Sequence, residues 1–167
     1  IVAGRVIHPE DDLFAGLAQN RAYDQGPNPG EAETVVGCNM LFRRAVFETV
    51  GYFDENIKWG HDETLFLEKA RPEYSIFYHP DLAVEHQFED SIIDWWRKQL
   101  QYGPSDVYAA KVKNKTVFSE WYEMVPVSGG GSITEIVVKT IGKNIRNVSR
   151  LAAMARGVPE PSKHEYR

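Results

Sequence analysis

Acidic and histidine residues gather in the stretch GYFDENIKWGHDETLFL, residues 51–67. Asp54 and Glu55 form one acidic pair, and a second pair begins at Asp62, directly after His61. Carboxylates and imidazoles are the side chains that proteins use most often as general bases and as ligands of divalent ions. The residue types alone leave three interpretations open for this stretch: a helix cap, a metal site or a catalytic base.

The simplest interpretation of Asp62 is a residue at the start of a helix, because apolar residues follow it at 65–67. A carboxylate there accepts hydrogen bonds from backbone N–H groups and lies at the positive end of the helix dipole. The same dipole favours the ionised carboxylate, which makes it a weaker base. Asp54 and Glu55 are likewise typical of a turn after a helix that ends at Gly51.

A metal site would draw its ligands from the acidic and histidine residues of this region, namely His61, Asp62, Glu63, His79 and His86. Their oxygen and nitrogen atoms suit a divalent ion. No two of the histidines have the spacing of a helical zinc motif, so the pattern by itself favours the helix start over the metal site.

Strands and helices alternate in the first part of the chain, as in an α/β fold. Apolar periodicity and turn residues predict strands over 1–7, 34–42, 74–78 and 82–85, helices from Asp11 and over 44–50 and 62–70, and loops over 26–30 and 54–60.

From Ser91 onward the pattern is helical, with an interruption expected near Gly103 and Pro104. A further helix is predicted over 116–124, followed by a flexible joint of three glycines at 129–131. A long amphipathic helix is predicted over 133–155. It carries an Ile and Val stripe on one face and four basic residues on another, Lys139, Lys143, Arg146 and Arg150.

Composition excludes several classes of protein. The 167 residues carry a net charge of -5, which argues against a general nucleic-acid binder. The single cysteine, Cys38, excludes a disulfide framework, and no apolar run is long enough to span a membrane. We therefore expect a cytoplasmic protein. The chain opens at Ile1 in strand-like material, so we expect a fragment whose beginning is missing.

Two ordered stretches resemble the second half of family 2 glycosyltransferases, which have the GT-A fold. They are GCNMLFRRAVFETVGYFDENIKWGHDETLFLEKA at 37–70 and YSIFYHPDLAVEH at 74–86. The similarity implies a partial GT-A, Rossmann-like half-domain over 1–112, followed by a helical tail over 113–167. Residues 94–103 resemble a helix that follows the catalytic core in many members, where Arg97 can face the diphosphate; the alternative is that the aromatic residues simply pack this helix on the core.

The resemblance implies an inverting glycosyltransferase that moves a sugar from a nucleotide-sugar to a hydroxyl of a saccharide or lipid-linked acceptor, in polysaccharide or glycolipid synthesis. Asp62 matches the general base, and His86 matches a histidine that helps to bind a divalent metal, Mg or Mn. The main Asp-x-Asp ligands are expected before Ile1. Residues implied near donor or acceptor are Asn39, Trp59, Gly60, His61 and Arg97.

Two departures from the family keep other functions open. His61 stands where the family usually has Glu, and the nearby acidic pair, Asp11 and Asp12, follows a strand without forming an Asp-x-Asp motif. One alternative is a non-catalytic sugar-binding or accessory half-domain. Another is a metal-dependent hydrolase that uses His61, Asp62 and His86.

The tail helix over 133–155 has two possible roles. A basic amphipathic helix can lie on an anionic membrane surface, which would place the protein at the inner face of the membrane near lipid-linked acceptors. The alternative is that its Ile and Val stripe packs on the domain while the lysines stay in water.

Overall fold

The computed structural model describes residues 1–8, 23–32, 34–87, 91–117 and 132–161. Their strands are β1 (Val2–Ile7), β2 (Gly30–Glu31), β3 (Met40–Leu41) and β4 (Phe77–Glu85). Their α-helices are α1 (Arg44–Val50), α2 (Asp62–Ala70), α3 (Ile92–Val112) and α4 (Ile133–Arg156), and a 3-10 turn spans Gly37–Asn39. The predicted α/β class is confirmed at this level.

The described residues belong to two compact units that alternate along the chain. The first unit comprises Ile1–Asp54 and Asp62–Phe88, and the second comprises Glu55–His61 and Glu89–Arg167. The second unit therefore includes a short segment that the chain inserts between two parts of the first.

The four strands form one mixed sheet in the first unit, in the order β2, β4, β1, β3. Strand β1 runs parallel to β4 and antiparallel to β3, while β2 runs antiparallel to β4. The first unit has a hydrophobic core, to which the strands, α1, α2 and the connecting segments contribute. Its buried residues are Ala3, Ala32, Val35, Val46, Phe66, Leu67, Ala70, Ile76 and Tyr78.

The pairing of β1 with β4 is irregular between Gly4 and Arg5, where the chain of β4 bulges. The carbonyl oxygen of Leu82 approaches Gly4 so closely that a Cβ there would lie 1.9 Å from it. The side-chain amide of Asn39 donates to that carbonyl at 2.8 Å and to the carbonyl of Arg5 at 2.9 Å. Asn39 therefore stabilises the irregular part of the sheet.

Helices α3 and α4 pack closely in the second unit because small residues face each other. Pro104 lies inside α3, where it lacks the N–H that would bond the carbonyl of Leu100. The hydroxyl of Ser149 on α4 donates to that carbonyl at 2.5 Å. Gly103 lies against Ser149, and a Cβ there would be 2.4 Å from its hydroxyl. The proline is therefore tolerated inside a continuous helix.

Helix α4 begins with a capping box, in which Ser132 and Glu135 each bond the other's backbone N–H. Its outward face carries an apolar row, whose residues belong to the predicted Ile and Val stripe. Within that row, Ile133, Val137, Ile141, Val148 and Leu151 are exposed. The alternative in which the stripe packs on the domain is therefore wrong for these five residues. The buried side of α4 contains the arginines Arg146 and Arg150 instead.

Three predicted elements differ from the structure. The strand over 34–42 is wrong except at Met40–Leu41, because residues 34–36 form no strand pairing although Val35 is buried. The strands at 74–78 and 82–85 are one strand, β4, that begins at Phe77 and continues through the bulge. The interruption near Gly103 and Pro104 is absent.

The predictions over 11–22, 118–124 and 129–131 lie outside the described residues. Within the described part of the chain, no helix combines the length and the apolar character needed to cross a bilayer.

Candidate functional site

Asp62 is the first residue of α2, as the sequence predicts. Its side chain is half-buried, and Glu63 follows it in the same turn. The helix is anchored by Leu65 and Phe66, each 1% exposed. Asp62 therefore lies in the first turn of a helix that the core anchors.

The chain turns sharply immediately before Asp62. Gly60 has φ 67° and His61 has φ 65°, both in the left-handed region. Glycine adopts this region without steric cost, whereas a residue with a Cβ pays roughly 1–2 kcal/mol. The conformation of His61 must therefore be stabilised by other contacts.

The contact that His61 makes in the second unit is a hydrogen bond to Asp106 of α3. Its Nε2 lies 2.7 Å from the Oδ1 atom of Asp106, whose side chain is only 4% exposed. The bond joins residues 45 positions apart in the sequence. It fixes the ring of His61 against the side of α3.

Two arginines of α4 complete the surroundings of Asp106. The guanidinium of Arg146 binds both carboxylate oxygens, with its Nε donating to Oδ2 at 2.6 Å. Arg150 donates from Nε to Oδ2 at 2.7 Å, and from Nη1 to Asn147 at 3.0 Å. Asp106 is thus bonded through both oxygens, and a bidentate arginine contact is among the strongest that a carboxylate makes.

The ionisation of Asp106 follows from these contacts. Burial by itself would raise the pKa of Asp106, but the hydrogen bonds from Arg146 and His61 and the charges of Arg146 and Arg150 outweigh it. The pKa of Asp106 therefore lies well below its usual range, and the carboxylate stays charged at neutral pH.

The loop that carries His61 has two further contacts in the second unit. Gly60 lies beside the ring of Tyr102, and a Cβ at position 60 would be 2.7 Å from that ring. The guanidinium of Arg146 lies over the same ring, 4.7 Å from its centroid. Asn56 donates to the hydroxyl of Tyr108 at 3.3 Å. Residues 55–61 are therefore held by packing as well as by charge.

A small cavity of about 70 Å³ opens beside this network in the second unit. Asp106, Arg150 and the ring of His61 line one part of it. Lys113 and Lys115, which follow α3, line another part. The space has the size of a few water molecules, and charged side chains form part of its wall.

The other residues implied by the resemblance fall in both units. Trp59 is 48% exposed, and Arg97 forms an exposed ion pair with Asp94 at 2.8 Å. His86 follows β4 in the first unit, where its ring centroid lies 5.9 Å from that of His8. Asn39 bonds the irregular sheet, as described above. Trp59, Gly60, His61 and Arg97 thus share the second unit, while Asn39, Asp62 and His86 belong to the first.

Of the five candidate metal ligands, His61 belongs to the second unit, and Asp62, Glu63, His79 and His86 belong to the first. In the ranges that the structure describes, no group of three or more His, Cys, Asp or Glu residues is placed to hold a metal ion.

Asp106, Arg146 and Arg150 were not among the predicted site residues. The sequence places Arg146 and Arg150 four positions apart on one helical face, a spacing that suits two contacts with one acidic partner. The partner itself is a single acidic residue in a helix 40 positions earlier, and no local pattern marks it.

The described residues define a mixed α/β protein with a helix-start aspartate in the first unit and a buried charge network in the second. Comparison with protein-family models, with curated proteins and with solved structures found no match.

We predict that Asp106→Asn lowers the free energy of unfolding by about 3–5 kcal/mol, because it leaves two arginines at a buried site without their counter-ion. Urea unfolding followed by circular dichroism measures the change. Glu48→Gln is the matched control, since the Arg44–Glu48 pair is exposed at 3.1 Å and should be worth less than about 1 kcal/mol. Equal effects of both substitutions would contradict the prediction.

The lowered pKa of Asp106 also predicts a pH dependence. An unfolded aspartate has a pKa of about 4, so the stabilisation by the charged form is complete above that value and is lost as the pH falls toward the lower folded pKa. The stability difference between the wild type and Asp106→Asn should therefore be constant above about pH 5 and shrink below about pH 4. Urea titrations across this range test it, and a difference independent of pH would refute it.

Proposed function

We propose that this chain is the C-terminal part of a GT-A glycosyltransferase domain, and that the protein is an inverting glycosyltransferase with Asp62 as its general base. The observation that supports the proposal most is the position of Asp62. It begins a helix anchored in the core, directly after a left-handed turn at Gly60 and His61. The motif that resembles family 2 enzymes thus coincides with an aspartate at the start of a helix that is anchored in the core.

The reaction requires one proton acceptor on this chain. The Asp62 carboxylate takes the proton of an acceptor hydroxyl while that oxygen forms a bond to the anomeric carbon of the sugar. The bond between that carbon and the diphosphate oxygen breaks, and the electron pair leaves with the nucleoside diphosphate. Attack from the face opposite the leaving group inverts the configuration. A base held on a helix start needs little reorganisation during this step.

A divalent ion, Mg or Mn, would neutralise the leaving diphosphate in such an enzyme. The described residues do not fit a complete site for it, since His86 lies beside the imidazole of His8 and these ions prefer oxygen ligands. We propose that the main ligands of the metal come from an Asp-x-Asp motif before Ile1. The proton transfer to Asp62 involves this chain alone.

Asp62→Asn should reduce transfer by about 10²–10⁴-fold while the protein stays folded, because the amide cannot accept the proton. The measurement is release of nucleoside diphosphate from nucleotide-sugars, in the protein as its gene encodes it. Glu63→Gln, in the same helical turn, is the control and should keep near-normal turnover. Near-normal turnover of Asp62→Asn would remove Asp62 from this role.

A non-catalytic sugar-binding or accessory module is the second candidate. The observation that favours it concerns His61, which stands where the family has an acidic residue. The ring of His61 is bonded to Asp106. An in-frame upstream segment with an Asp-x-Asp motif would favour the enzyme. The hydrolase alternative loses support, because His61, Asp62 and His86 form no metal-binding group.

Peripheral membrane contact is part of the proposal, since the apolar row of α4 is exposed. Ile133 is 82% exposed, Val148 is 63% and Val137 is 50%. Arg146 and Arg150, which the sequence offered for lipid phosphates, bind Asp106 instead. Membrane binding would therefore depend mainly on insertion of the apolar row into the interface.

Flotation with vesicles containing anionic lipid tests this contact. We expect the chain to float with the vesicles and Val148→Glu to lose most of this binding, because a charge in the row opposes insertion. Gln101→Glu adds the same charge at an exposed position of α3 and should bind like the wild type. Wild-type chain that stays at the bottom of the gradient would exclude the membrane contact.

A further inference from the structure

We propose that the cavity beside Asp106 is a binding site for a small oxyanion with the size and charge of phosphate. Lys113, Lys115 and Arg150 supply the positive charge of its wall, and Thr116 lines it as well. All of these residues belong to the second unit, so the site lies within that unit alone. The inference does not depend on the proposed sugar transfer.

The first argument is the charge around the cavity. An ionised carboxylate has about four acceptor positions, and at Asp106 they are occupied by one contact from His61, two from Arg146 and one from Arg150. These contacts saturate the carboxylate, and the two arginines already exceed its charge. Because two lysines are added to them, the described part of the wall is positive, and such a wall attracts an anion.

The second argument is the turn that ends α3. Asn114 has φ 51°, in the left-handed region that asparagine adopts more readily than most residues with a Cβ. After this turn the backbone N–H of Lys115 donates to the carbonyl of Ala110 at 2.8 Å, which holds Lys115 beside the last turn of the helix. The turn thus brings Lys113 and Lys115, two positions apart in the sequence, to the same cavity.

The carbonyl groups at this end of α3 are too weak to repel an anion from the cavity. The C-terminus of a helix carries a negative charge of only about half an elementary charge. The carbonyl of Ala109 accepts from the backbone N–H of Lys113 at 3.0 Å, and that of Ala110 accepts from Lys115. The full charges of the two lysines exceed this partial charge, so the local field still favours an anion.

The volume of the cavity limits the ligand. Its roughly 70 Å³ is far below the roughly 300 Å³ of pockets that enclose a whole small molecule. A single tetrahedral oxyanion fits this space, whereas a nucleotide does not. Arg150 is 9% exposed, and a cation that is shielded from water binds an anion more strongly than one at the open surface.

Calorimetric titration of the protein as its gene encodes it with inorganic phosphate, in chloride buffer of constant ionic strength, tests the site. We expect saturable binding with a Kd of about 1 mM or lower. Lys115→Gln should weaken it about 10-fold, because a charge-assisted contact is lost. Since Lys115 is exposed, this variant should keep the melting temperature of the wild type in phosphate-free buffer.

Lys111→Gln is the matched control, because it removes the same charge from the same end of α3. Lys111 pairs with Glu160 at 2.5 Å and does not belong to the described wall of the cavity. Its substitution should change the affinity for phosphate by less than about twofold, since solvent and salt screen charges outside the site.

Titration with glycerol 3-phosphate distinguishes two sources of the phosphate group. Binding of this ester would mean that the terminal phosphate of a larger molecule enters the cavity, and binding of inorganic phosphate alone would mean a site for the free ion; both results support the proposal. Absence of saturable binding for both compounds would overturn it. Equal losses in Lys115→Gln and Lys111→Gln would overturn it too, because the lysines would then act only through the net charge of the helix end.

Discussion

One buried negative charge determines the arrangement of the second unit. A carboxylate removed from water is costly unless cations and hydrogen bonds compensate it, and Asp106 obtains this compensation from a loop and from α4 at once. To bring Arg146 and Arg150 to it, α4 must turn its basic side inward. The apolar row of the same helix then faces outward, against the usual rule that the apolar face of an amphipathic helix is the buried one.

Local signals in the sequence were sufficient for several elements, and the reasons are specific. Helix α1 ends where Gly51 adopts a positive φ, and α4 begins where Ser132 and Glu135 cap it. The bounds of these helices are readable because each depends on residues within one turn. The strand predicted over 34–42 was wrong for most of its length because the apolar pattern does not reveal that Gly37–Asn39 form a 3-10 turn and that only Met40–Leu41 find a partner strand. The interruption predicted at Pro104 was wrong because the carbonyl of Leu100, which the proline cannot bond, accepts a hydrogen bond from Ser149, far away in the sequence.

The residues of the candidate site also differ in whether a local sequence signal reveals them. The position of Asp62 at a helix start could be predicted, since an aspartate before a helical apolar pattern is a local signal. Asp106 could not, because its importance depends on burial and on partners that only folding brings near. The orientation of α4 was unpredictable for a related reason: periodicity shows that a helix has two different faces, but the partner decides which of them is buried. The partner of His61 is likewise hidden from local patterns, because Asp106 lies 45 positions later in the sequence.

The interleaving of the two units along the chain has a consequence for synthesis on the ribosome. Residues 55–61 belong with helices that are made much later, and the partner of His61 emerges 45 residues after it. The nascent chain therefore holds this loop without its native contacts until α3 and α4 have left the exit tunnel. The contacts of this loop are completed only after α4 has been made, so a chain released before that point would contain the aspartate but not the anchor of its loop.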